Sequence, residues 1–262
     1  MTLFWQHFRA QLTGLLIWLA SGIVLALALT RTARAAAGGG MGLFQSLPVS
    51  IQRLMGLRPG MSALDGYVAG KIAPSVVLLL VLYAVVLALS AITREVDRRT
   101  IDFLLSLPVG RRQVLLSRGA VLFVNTGLMA AILWGVSIWD LQNQGLITGA
   151  TGRYWLLFLG QWLLALAVGS LTLLFSLWID DYSLGIKLFL GLLSALYFIE
   201  MVLKVVGADR WVRLLSPFSY ADPATILAEG RLPAGDAVVL VAVIALALAA
   251  SLTAFDRKQI TA

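Results

Sequence analysis

The 262-residue chain contains no cysteine and a single histidine, His7. The first absence excludes disulfide frameworks, thiolate metal sites and cysteine nucleophiles, and it leaves the redox compartment unreadable. The second removes most zinc, haem and histidine-based acid/base chemistry. Charge is also scarce: 13% of residues are charged and 60% hydrophobic, against about 25% and about 45–50% in soluble domains. That balance indicates a membrane protein. On such a protein the net charge of +7 is read as lipid-phosphate contact and a topology signal, with no nucleic-acid partner.

Nucleotide and hydrolase signatures are missing too. The stretch DGYVAGKIA contains a Gly-Lys pair, but Asp65 stands where a phosphate loop needs its first glycine and Ile72 where it needs a hydroxyl. Gly66 and Gly70 are better read as a small-residue face for close helix approach. Gly-x-Ser-x-Gly, His-Glu-x-x-His and calcium-loop patterns do not occur. No catalytic, cofactor-binding or metal-ligating residue is assigned, and ATP hydrolysis by this chain is not expected.

What the chain has in abundance is long apolar runs. Crossing the roughly 30 Å hydrocarbon core takes about 20 mainly apolar residues. Leu12–Thr30, Ile72–Thr93, Gly119–Trp139, Tyr154–Ile179 and Ala237–Phe255 meet that demand without a charge. Leu184–Val206 makes a sixth span, with Lys187, Glu200 and Lys204 placed to snorkel or to face protein. Residues 1–262 are therefore read as one all-α membrane domain. Trp139 and Trp155 bracket the third connection, and Trp178 with Tyr182 marks the fourth, as amphipathic rings do at headgroup level.

The first span is followed by Ala33-Arg34-Ala35, which imitates a signal cleavage site, but its apolar run is too long for a signal core, so it is taken as retained. Ahead of it, Phe4, Trp5 and Phe8 near Arg9 suit a short amino-terminal interfacial helix. The stretches SIQRLMGL and RWVRLLSPF, in the long first and fifth connections, suit short helices on the outer membrane surface. Lysine and arginine number nine on each side, but one side is packed into much shorter segments. The positive-inside rule then puts both termini in the cytoplasm of a multi-pass plasma-membrane protein.

Ionisable residues near the spans are few enough to weigh singly. Asp180 and Asp181 are adjacent, about 100 degrees apart on a helix, and suit a solvated loop better than a shared ligand. Glu200 is the one acid well inside a span, and an intramembrane acid is by default a candidate for the transport path. Lys204 follows one turn later in the favourable acid-then-base order, so a local ion pair is the competing and preferred reading.

The densest charge lies between the second and third spans, where Arg94 to Gly119 holds six arginines and three acids. Within it, Ile101, Leu104 and Leu105 recur at helical spacing, Phe103 and Leu107 widen the apolar face, and Asp102 and Ser106 stay opposite. Thr100 or Asp97 caps the start and Pro108 ends the helix within about two turns. So short a helix is unstable alone, and five large apolar side chains exceed what a topology signal needs. The stretch reads as a cytoplasmic docking element.

These residues resemble a known family. Glu95, the run Thr100-Ile101-Asp102-Phe103-Leu104-Leu105-Ser106-Leu107-Pro108-Val109, and Arg111, Arg112 and Arg118 are similar to the signature between the second and third spans of type-2 ATP-binding-cassette (ABC) exporter permeases. Arg99 stands where that family has glycine. The stretch LSPFSYADPATIL resembles the segment before their last span. The resemblance implies a dimeric membrane half-transporter, a homodimer or a pair with a similar permease, working with a separate cytoplasmic ATPase that carries ATP and Mg. Residues 100–108 would be its coupling helix, with Glu95, Thr100, Ile101, Phe103, Leu104, Leu105, Leu107 and Pro108 at the contact. Two rival readings fit less well. An intramembrane enzyme lacks its nucleophile, base or metal cluster, and an anchor or sensor recruiting a partner needs fewer than six spans.

Overall fold

In hydrocarbon a backbone has to satisfy its own polar groups, and the apolar runs of this chain do so as helices. The computed structural model describes residues 2–39, 48, 52, 61–97, 110–149, 151–179 and 181–257. In chain order the helices are α1 (Thr2–Gly39), α2 (Ala63–Tyr67), α3 (Ala73–Asp97), α4 (Arg111–Asn143), α5 (Gly152–Phe175), α6 (Tyr182–Val206), α7 (Arg210–Arg213), α8 (Pro223–Glu229) and α9 (Ala234–Arg257). A π-helical turn, Val68–Ile72, joins α2 to α3, and 3₁₀ turns cover Ser176–Trp178 and Pro217–Ala221. No strand occurs among the described residues. Among the described residues, six helical stretches are long and apolar enough to cross a membrane: α1, the α2–α3 unit, α4, α5, α6 and α9.

The second of these begins at Ala63, nine residues before the apolar run read from the sequence. Asp65 and Lys71 lie in those added residues, yet Asp65 is buried on partners supplied by α5. Ser62 starts the helix, its Oγ accepting the Asp65 backbone N–H at 3.1 Å. Pro74 lacks a backbone N–H for the Gly70 carbonyl, and the π turn directly before it loosens the ladder where the ring would otherwise clash. Gly66 is buried within this start.

The amino-terminal expectation is corrected. Residues 2–11 form no separate interfacial helix; α1 runs unbroken from Thr2 to Gly39. No proline or glycine lies in that opening stretch to break it. At about 1.5 Å per residue the helix is nearly twice as long as the hydrocarbon core is thick, so its ends project beyond it.

The core is built by the second, third and fourth spans. In their most apolar windows 67%, 56% and 67% of residues are buried, against 22%, 11% and 17% in α1, α6 and α9. Trp134, Leu80, Leu133, Leu157 and Leu164 lie fully buried between them. Close approach depends on small residues. A Cβ on Gly169 of α5 would come within 3.1 Å of Leu122 and 3.3 Å of Ala84, from α4 and α3. Trp139, Trp155 and Trp178 are well exposed, as anchors at the two interfaces require.

Side-chain contacts define the two ends of the bundle. At the near end Gln11 Nε2 donates to Ser90 Oγ at 3.2 Å, and His7, Gln11, Ala91, Arg118 and Leu173 surround a small cavity. At the far end Thr30 and Arg31 meet Asp140, and Asp65 meets Arg153 and Tyr154. The α7–α8 stretch also lies at the far end, because α6 leads into it and α9 leaves it.

Candidate functional site

The sequence-derived docking element falls mostly outside the described residues: Thr100, Ile101, Phe103, Leu104, Leu105, Leu107 and Pro108 all do. Glu95 lies in the last turn of α3, which ends at Asp97, and α4 resumes at Arg111. The connection therefore leaves and re-enters the bundle at the near end.

Glu200 and Lys204 are at the far end of α6, and the structure adds two residues to them. Arg213 Nη2 donates to Glu200 Oε1 at 3.0 Å, and Lys204 Nζ donates to Asp222 Oδ1 at 3.1 Å. Lys204 Nζ also lies 3.5 Å from Glu200 Oε1, and Arg213 Nη2 lies 3.7 Å from Asp222 Oδ2. The four groups thus form a closed ring of two acids and two bases. Both carboxylates are buried and both bases mostly so. Thr225 Oγ1 adds a hydrogen bond, donating to Asp222 Oδ2 at 2.8 Å. A net charge of zero and this hydrogen bonding are what make so much buried charge tolerable beside hydrocarbon.

Local sequence explains how the ring assembles. Gly207 ends α6 in the left-handed region, φ +74°, which turns the chain back toward the helix it has just left. Four-residue α7 then carries Arg213, and Asp222 immediately precedes Pro223, the first residue of α8. The 3₁₀ turn between them buries Phe218 and Ala221, and α8 buries Ile226 and Leu227. The fifth connection is thus folded into the bundle rather than lying wholly on its surface; α7, with Trp211 84% exposed, is the part that stays outside.

Two further buried acids close the far end of the other spans. Asp140 of α4 pairs with Arg31 at 2.9 Å and accepts hydrogen bonds from Thr30 Oγ1 at 2.6 Å and Gln144 Nε2 at 2.7 Å. Asp65 pairs with Arg153 at 3.0 Å and accepts from Tyr154 Oη at 2.8 Å and Ser62 Oγ at 2.7 Å. Deeper in the bundle, Gln161 accepts from Trp134 Nε1 at 3.0 Å and donates to the Ala73 carbonyl at 2.9 Å, stitching α4, α5 and the start of α3. Asp181, read as part of a solvated pair, caps α6 by accepting the Leu184 N–H at 3.0 Å. No cluster of three or more metal-ligating side chains occurs among the described residues.

Arg213 and Asp222 had been visible only as members of two loop stretches. Their partners lie 9 to 18 positions away across an irregular turn, where no periodicity announces a contact. A proline following an aspartate was the one local hint, since it marks a helix start that holds a carboxylate in place.

Chemically, ion-paired carboxylates hold elements together, and the described residues gather no metal-ligand cluster. That fits a membrane scaffold whose helix ends are tied by ion pairs. No curated protein matches the chain. Residues 1–260 match the family described as ABC-2 family transporter protein. With six membrane-spanning helices and a family match over almost its whole length, the chain belongs to the ABC-2 family and is a permease component of an ABC transporter.

Proposed function

We propose that this permease works in an exporter, coupled to a separate cytoplasmic ATPase through residues 100–108. The observation that carries the reading is the placement of the charged connection. It joins α3 to α4 at the near end, bears a large apolar stripe, and belongs to a chain whose own charged groups suit no nucleotide chemistry. ATP and Mg are bound by the ATPase. In this reading the near end is cytoplasmic, and both termini and Glu95 are on that side. Two permease copies, identical or similar, enclose the path. The sparsely buried apolar surface of α6, with Leu188, Leu192 and Phe198 more than half exposed, supports contact with lipid and with a second copy. Closure of the ATPase pulls the docking helices, and the spans rock to open the far end.

The test is substitution of the stripe. Phe103→Asp or Leu104→Asp is expected to abolish co-purification of the ATPase and its stimulation by the permease, with membrane insertion unchanged. Retained co-purification and stimulation would overturn the coupling role. ATP-driven movement of cargo in proteoliposomes separates a transporter from an anchor that only recruits a partner.

A further inference from the structure

We propose that the ring of Glu200, Lys204, Arg213 and Asp222 is a latch that holds the far end of α6 to the α7–α8 segment and opens by exchanging ion-pair partners. This rests on the permease reading, which requires the far end to open. The geometry separates the four contacts into two kinds. The short ones, Glu200–Arg213 at 3.0 Å and Lys204–Asp222 at 3.1 Å, cross from α6 to the segment that follows it. The long ones, Glu200–Lys204 at 3.5 Å and Arg213–Asp222 at 3.7 Å, lie within α6 and within that segment. If the crossing contacts break, the internal ones remain and can tighten. The ring then divides into two halves, each with one acid and one base, and neither leaves a bare charge in a partly dry site.

Three observations favour a latch over a fixed brace. First, α6 is the least embedded span, with 11% of its apolar window buried, and this ring is where its charged groups meet the far-end segment. Second, buried ion pairs hold helices together less well than apolar packing of the same volume, whereas they can change partners in discrete steps. Third, the ring has spare capacity. Glu200 Oε1 receives both bases, while Glu200 Oε2 and Arg213 Nε are buried without a hydrogen-bond partner. Sharing of one carboxylate oxygen by both bases lets the pairs rearrange without first losing a bond. Gly207, in the left-handed conformation between the two halves, is the natural pivot.

The 262-residue chain lacks cysteine, so one introduced thiol reports on the latch. Ser216 is 1% exposed and its Oγ lies 3.5 Å from the Leu196 carbonyl of α6, at the seam that would open. We would measure maleimide labelling of Ser216→Cys in nanodiscs, without ATPase or cargo, so failure here is distinct from failure of the permease reading. Two double variants remove one acid and one base each. Glu200→Gln with Lys204→Gln deletes one half, removes both crossing contacts and leaves Arg213–Asp222 neutral; labelling is expected to rise on the order of tenfold. Glu200→Gln with Arg213→Gln deletes one crossing pair, keeps the Lys204–Asp222 contact and leaves bare charges if the seam opens; labelling is expected to stay within about twofold of the parent. A rise in the second variant as large as in the first, or no rise in the first, would overturn the latch.

Discussion

Asp65 illustrates how a single residue misdirects a reading by composition. Its charge places it in a loop, yet it lies buried in a spanning helix because Arg153, Tyr154 and Ser62 all reach it. Burial of a carboxylate is costly unless each lone pair is met, and here the partners come from three separate positions in the chain. Gln161 is the uncharged counterpart. Replacing it with leucine strands both the Trp134 indole N–H and a lone pair of the Ala73 carbonyl in a dry site. Gln161→Leu is expected to cost about 1–2 kcal/mol, read as a thermal midpoint lowered by about 2–6 °C in a detergent-solubilised preparation. An unchanged midpoint would mean that water or a neighbouring group replaces the amide.

Among the elements, helix identity was the most legible property and helix ends the least. Long, mainly apolar runs satisfy their backbone as helices in a bilayer, so α4, α5, α6 and α9 lie where hydropathy puts them. The ends of α1 and the start of the α2–α3 unit were hidden because polar and charged residues there are carried on helices that extend beyond the apolar window. Packing between helices is tested at glycine. Gly169→Leu drives a side chain into Leu122 and Ala84, while Gly191 of α6 has nothing within 4 Å of an added Cβ. The first substitution is expected to cost about 1–3 kcal/mol and to reduce the yield of monodisperse protein on size exclusion. Gly191→Leu is expected to match the parent, and equal loss in both would argue against the close α3–α4–α5 contact.

At the scale of the whole molecule, buried carboxylates gather at one end of the bundle and the arginine-rich connection lies at the other. That asymmetry fits an orientation with the near end inside, and it is open to direct test. Gln142→Cys, exposed at the far end, is expected to react with an impermeant maleimide added to intact cells, whereas Gln113→Cys, exposed at the near end, reacts only after lysis. The reverse pattern would invert the topology and with it the direction of transport.

What the sequence by itself determined is whatever depends on local composition and run length: a membrane location, an all-helical fold and six spans. These follow from the free energy of burying apolar side chains and closing backbone hydrogen bonds within one segment, and both are written in contiguous residues. The tertiary structure alone decided which charges meet. Arg31 with Asp140, Arg153 with Asp65, and the four-membered ring at the end of α6 join residues separated by up to about a hundred positions. Coulomb attraction carries no periodicity along a chain, so only the folded bundle, which brings those helix ends together in a poorly hydrated layer, could select the partners.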